Sequence, residues 1–84
     1  MTDEYQDPTH VVSKYLNFEE DDHWGHKTKR IVIVSKRHVD ILGDIRWYGR
    51  WRQYAFFPEA KTVWNPECMR DVQECIARLM AERR

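Results

Sequence analysis

No stretch of this 84-residue chain is apolar for long enough to cross a bilayer, and no charged-then-apolar leader opens it. The expectation is a protein that works in the cytoplasm. Cysteine is scarce: only Cys68 and Cys75 occur, seven residues apart in a segment of helical period. On a helix their Cα atoms stand roughly 10 Å apart, beyond disulfide reach, so both are expected as small buried apolar residues. Catalytic signatures are missing too. The chain has no glycine-rich phosphate loop, no nucleophile elbow and no His-Glu-x-x-His zinc motif. Glu59, Asp44 and His38 are isolated acids and bases of a kind almost any chain offers, so the reading is a non-enzyme without a cofactor.

Net charge is also absent, with 14 acidic and 14 basic residues, but the balance is uneven along the chain. Positions 1–26 hold seven acids against one base, Lys14, leaving −6; positions 27–84 hold thirteen bases against seven acids, leaving +6. An acidic arm therefore precedes a basic domain. Either the two halves merely attract each other and aid solubility, or the basic half attracts an anion and the arm completes or covers that site.

What the chain does have is aromatic side chains, 13% of its residues. Seven of the eleven (Trp47, Tyr48, Trp51, Tyr54, Phe56, Phe57 and Trp64) crowd into eighteen consecutive positions. Residues 1–7 are polar, acidic and without period, and read as disordered. Asp7 and Pro8 suit a helix start, and Val11, Val12, Tyr15 and Leu16 follow at helical spacing, so a short helix is expected near 8–17. A charged loop follows over 19–26. Arg30 to Ser35 is β-branched and reads as a strand; residues 36–40 make a turn. Positions 41–48 form a second strand, with Gly43, Ile45 and Trp47 on one face and Leu42, Asp44, Arg46 and Tyr48 on the other. Gly49 and Arg50 supply the reversal, glycine being able to take a positive φ. Residues 51–57 make a third strand, and 62–64 a short fourth. Asn65 then caps a long helix with Pro66 in its first turn. Cys68, Met69, Val72, Cys75, Ile76, Leu79 and Met80 mark its apolar stripe.

The expected fold class is therefore α+β: a three- or four-stranded antiparallel meander with one long C-terminal helix packed on one face. Residues 1–27 are an acidic arm, and 28–84 a ββ(β)βα domain. One helix covers only one face of such a sheet, yet both faces of the hairpin carry aromatics. The second face needs a cover: the N-terminal segment, a second subunit or a ligand.

The hairpin Arg46-Trp47-Tyr48-Gly49-Arg50-Trp51-Arg52-Gln53-Tyr54 is the strongest functional signal. Interleaved guanidinium groups and aromatic rings stack bases and pair phosphates. Trp47 and at least one phenylalanine are expected in the core. Arg46, Arg52 and Tyr54 are the candidates for phosphate and base contacts, with Tyr48 and Arg50 at the rim. The pattern does not separate a nucleotide, a nucleic acid and an acidic protein as ligand. His23-Trp24-Gly25-His26, after Asp21 and Asp22, offers metal-ligand types, but the spacing is generic and the reading is a solvated loop without metal. The 8–17 segment is a poor membrane binder because its acidic neighbours are repelled by anionic lipid.

The stretch Ser35-Lys36-Arg37-His38, then Leu42-Gly43-Asp44-Ile45-Arg46-Trp47-Tyr48-Gly49-Arg50-Trp51-Arg52-Gln53-Tyr54-Ala55-Phe56-Phe57-Pro58, then Thr62-Val63-Trp64 and Cys68, resembles a family of small uncharacterised phage and prophage proteins with an LGxIxWYxxWRQYxFFP signature. The resemblance spans about residues 28–80. Ala55 stands where that family often has Cys or Thr, and Arg50 where it often has Pro. The resemblance implies a phage origin and a host-cytoplasm setting. Small phage proteins commonly act on host machinery by binding. The first expectation is thus a homo-oligomeric, non-enzymatic protein that binds a nucleotide or nucleotide-derived signal in host counter-defence. The others are a nucleic-acid-binding accessory protein and a module that inhibits a host protein.

Overall fold

The apolar stripe at the C-terminus forms one helix, α1 (Pro66–Glu82), in a computed structural model that describes residues 6–83. Asn65 caps it, its Oδ1 accepting the Cys68 N–H at 2.7 Å, and Pro66 occupies the first turn, where no N–H is needed. Cys68, Val72, Cys75 and Leu79 are buried, one below another on a single stripe. The helix lies against a four-stranded antiparallel meander of β1 (Leu16–Glu20), β2 (Arg30–Ser35), β3 (Ile41–Tyr48) and β4 (Gln53–Pro58), in that spatial order.

Two elements differ from the sequence reading. Residues 62–64 are not a strand. Instead Trp64 Nε1 donates to Thr62 Oγ1 and Thr62 Oγ1 donates to the Glu59 carbonyl, bracing the loop that leads into α1. The fourth strand comes from the acidic side. The helix expected near 8–17 shrinks to a 3-10 turn, Pro8–His10, capped by Asp7, and Leu16–Glu20 pairs with β2. So short a helix gains little by itself, whereas the strand takes ladder bonds from β2 and alternates its side chains. Leu16 and Phe18 point into the core; Asn17 and Glu19 are exposed. The boundary drawn at residue 27 therefore falls inside the β1–β2 hairpin, and the loop expected over 19–26 begins only after Glu20. The disorder expected for 1–7 concerns residues mostly outside those described; within it, Asp7 is ordered as the cap.

Val11, Leu16 and Phe18 share one core with Ile31, Ile33, Ile45, Tyr54 and the helix stripe. The N-terminal segment thus fills in beside α1, on the helix side of the sheet. Arg78 of α1 fastens it by donating to the Asp7 carbonyl at 3.0 Å. Among the described residues, no helix or strand lies over the other face. The free edge of β4 is shielded in part, because the Tyr54 N–H donates to Met80 Sδ at 3.5 Å.

The β3–β4 connection is four residues long, 49–52, not the two-residue reversal expected. Tyr48 pairs with Gln53, the Trp51 N–H donates to the Tyr48 carbonyl, and the Arg52 N–H to the Gly49 carbonyl. The positive φ falls on Arg52, at 54°, and not on Gly49. Gly43 is the glycine the fold requires: a Cβ there would stand 2.8 Å from the Phe57 carbonyl oxygen and 2.9 Å from Phe56 Cε1. A Cβ at Gly49 would meet nothing within 4 Å.

Gly43→Ala is expected to cost about 1–3 kcal/mol, because backbone must move to admit the methyl, while Gly49→Ala stays within about 0.5 kcal/mol. Thermal unfolding followed by circular dichroism checks both, and equal melting temperatures for the two variants would contradict the assignment. Burial pushes the Cys75 thiol up to about 12 and raises that of Cys68 as well. With so little thiolate at pH 8, neither cysteine should react with Ellman's reagent in the folded protein, and both should react in denaturant.

Candidate functional site

On the uncovered face, cross-strand register sets Arg30 of β2 directly opposite Arg46 of β3. Two like charges in that position repel. Asp44, on the same face as Arg46, resolves the conflict. Its Oδ2 accepts from Arg30 Nε at 2.8 Å and from Arg46 Nε at 2.9 Å, and the residue is only 5% exposed. Asp21, just beyond β1, adds a second carboxylate to Arg30 at 2.9 Å from Nη1. Burial works against the Arg30 charge, but the bonds to Asp44 and Asp21 outweigh it and raise its pKa. The Arg30 bond, with the His23 amide second, holds the Asp21 carboxyl below the usual range.

Aromatic rings extend this cluster at both ends. The Arg46 guanidinium lies 3.7 Å from the centre of the Phe57 ring. Tyr48 meets Phe57 edge-on at 6.1 Å and Trp51 at 4.8 Å. On the other side Arg30 sits 5.5 Å from the Trp24 ring, which tilts against His26 at 4.5 Å. Trp51, Tyr48, Phe57, Arg46, Asp44, Arg30 and Trp24 thus form one continuous run across the open face. Trp51, at the tip, is 63% exposed. Among the described residues, Arg46 donates only through Nε, which leaves the outer edge of its guanidinium available.

The five residues singled out from the sequence separate. Arg46 and Tyr48 belong to the run. Arg50 and Arg52 are exposed in the turn at its end, so Arg52 does not lie in a strand beside Tyr54. Tyr54 is withdrawn from the site. Opposite Trp47 in register and 5% exposed, it packs edge-on to that ring on the helix side, and its hydroxyl accepts the Lys29 N–H at 3.1 Å. The parity of the loop decides this. A three-residue connection would have paired Tyr54 with Arg46 and turned it outward. Trp47 does pack against the core, and the Arg83 guanidinium covers its ring at 4.1 Å. Phe56 joins it, but Phe57 and Trp51 do not.

Asp44, Arg30, Phe57, Trp51 and Trp24 were missed as site residues. Asp44 and Arg46, two apart in a strand, carried the signal, since that spacing puts opposite charges on one face. Near Trp24, Asp21 is committed to Arg30 and to the His23 amide. Among the described residues no three metal-ligating side chains converge.

Asp44→Asn should destabilise the protein by about 2 kcal/mol, less than the loss of a fully buried pair because both arginines reach solvent. Arg46→Ala, which leaves Asp44 paired with Arg30, should cost less. In the double variant part of the Asp44→Asn loss should return, since the like-charge pair is gone. Urea denaturation of the four proteins measures this cycle, and strict additivity would show that Asp44 does not bridge the two arginines.

No family model matches the chain, and no solved structure matches it. Among curated proteins, a protein of Acholeplasma phage L2 described as an uncharacterized 9.3 kDa protein is 33% identical over 72 residues, 86% of this chain and 92% of that one. The chain belongs to the family of small phage proteins that this relative represents.

Proposed function

We propose that this protein is a non-enzymatic binding protein whose uncovered sheet face stacks the bases of single-stranded nucleic acid. The observation that carries the reading is the run of Trp51, Tyr48, Phe57 and the guanidinium of Arg46 along one open face. Stacking is tolerant of sequence and is worth about 1–3 kcal/mol per base. Several stackers in a row suit a strand of nucleotides better than a single nucleotide, which one or two rings satisfy. The arginines of the face are partly neutralised by Asp44 and Asp21, so few phosphates would be paired there, and Arg50 and Arg52 at the tip supply the outer charge. The carboxylates Asp44 and Asp21 are spent on the arginines of the face, which supports binding and not chemistry. The proposal extends to a host-cytoplasm setting during phage infection and to a role in countering host defence, with which a phage relative is compatible.

Titration of a fluorescein-labelled oligothymidylate by anisotropy tests the reading. Saturable binding is expected at low salt. Its salt slope should be shallow, set by about two or three phosphates at roughly 0.7 per phosphate for a single strand. Trp51→Ala and Tyr48→Ala should each weaken binding by about 1–3 kcal/mol, and Tyr54→Phe should leave it unchanged. A mononucleotide that saturates the protein as tightly as the oligomer would replace this reading with that of a nucleotide-sequestering protein. Failure to bind, with a dimer in solution that Trp51→Ala dissociates, would show that a second copy covers the face.

A further inference from the structure

The meander places its two ends far apart, and the end away from Trp51 carries a different chemistry. There the β2–β3 turn meets the segment before β1 and forms an open cleft of about 530 Å³ lined by Lys14, Tyr15, Ser35, Lys36, Arg37 and His38. Three of these are Lys or Arg and a fourth is His38, and among the described residues no carboxylate lines the cleft. Among the described residues none of the four has a carboxylate partner. Arg30, Arg46, Lys29 and Arg78, by contrast, are each paired with Asp or Glu.

One of the cations, Lys36, is also held in place, which a loose surface lysine is not. Lys36 Nζ donates to the Ser13 carbonyl at 2.6 Å and keeps two further protons to donate. Lys14 Nζ lies 5.5 Å from the Tyr15 ring centre. The turn itself is fixed from within: Ser35 Oγ accepts the N–H groups of Arg37 and His38, and the Ser35 carbonyl accepts that of Val39. Val39, β-branched and 79% exposed, is held there at φ 55°, a left-handed conformation that branched residues avoid. Strain of this kind persists where the surrounding contacts over-determine a turn, and it concentrates at ligand sites. Positioned donors without counter-charges are the chemistry that recognises a phosphoryl oxyanion.

We propose that this cleft is a phosphate-binding site, with Lys14, Lys36 and Arg37 as its charge donors and His38 at its mouth. It rests on the cleft alone and does not depend on stacking on the open face. The phosphoryl group could be free or could be the terminal phosphate of a nucleic-acid strand, and the test separates these sources.

The test is a titration of ¹⁵N-labelled protein with inorganic phosphate, against chloride at matched ionic strength. Saturable shifts of the amides of residues 35–39 are expected with phosphate and not with chloride. Arg37→Gln, at an exposed position, should raise the phosphate dissociation constant at least tenfold, and Lys36→Ala should do the same with an otherwise native spectrum. Trp51→Ala should leave the phosphate constant unchanged, so failure at one site is distinguishable from failure at the other. A 5′-phosphorylated oligothymidylate that binds more tightly than the unphosphorylated one, with the gain lost in Arg37→Gln, assigns the group to a strand end. Saturation by inorganic phosphate without that gain assigns it to a small phosphate ligand. Linear shifts scattered over the surface and equal in phosphate and chloride would overturn the site.

Discussion

One carboxylate governs the open face of this protein. Antiparallel register puts Arg30 and Arg46 directly across from each other, an arrangement that would push β2 and β3 apart unless something negative stood between them. Asp44 does so, with a single oxygen accepting from both Nε atoms. Because it is nearly buried, its charge is felt at short range and low screening. The consequences spread from there. Arg46 is held flat enough to lie over Phe57, Phe57 positions Tyr48, and Tyr48 supports Trp51 at the tip. Removing the carboxylate would free the charges but lose the order of the rings.

The same register explains why the face stays open. The acidic segment does not fold back across the arginines. It enters the sheet as an edge strand and sends Val11, Leu16 and Phe18 to the helix side, where they complete the core. Asn17 and Glu19 of that strand lie on the open face, and beyond it Asp21 pairs with Arg30 there while Trp24 packs against the same guanidinium. Among the described residues the −6 and +6 halves of the chain are therefore stitched by a strand pairing, a shared core, the Arg78 bond to the Asp7 carbonyl and one ion pair, and most of the Lys and Arg side chains stand outside ion pairs. Part of the basic charge gathers at the β2–β3 turn and part at the β3–β4 tip, with the stacked rings between.

Parts of this were legible in the residues. The helix was, because Asn65, Pro66 and the spacing of Cys68, Val72, Cys75 and Leu79 all point the same way. β2 was, because a β-branched run bounded by polar residues has few alternatives, and β3 was, by the alternation of its two faces. β1 was not: Val11, Val12, Tyr15 and Leu16 fit a helical stripe, and only the partner strand makes extension the better solution for Leu16 and Phe18. Local propensity is a weak prior when a ladder is on offer. In the candidate site, Arg46 and Tyr48 were found by their alternation within one strand. Tyr54 was misplaced because its orientation depends on a loop length that no residue announces.

By itself the sequence determined the class of the fold, the long amphipathic helix, the separation of the two thiols and the concentration of arginine and aromatic residues in one hairpin. All of these follow from local periodicity and helical geometry. The tertiary structure alone decided which of those residues face outward, since shifting a strand by one position exchanges its two faces. It also decided that Asp44 would be shared, that the N-terminal segment would join the core, and that Lys14, Lys36 and Arg37 would meet in one cleft. Each of these is a contact between distant parts of the chain, fixed by how the strands pair.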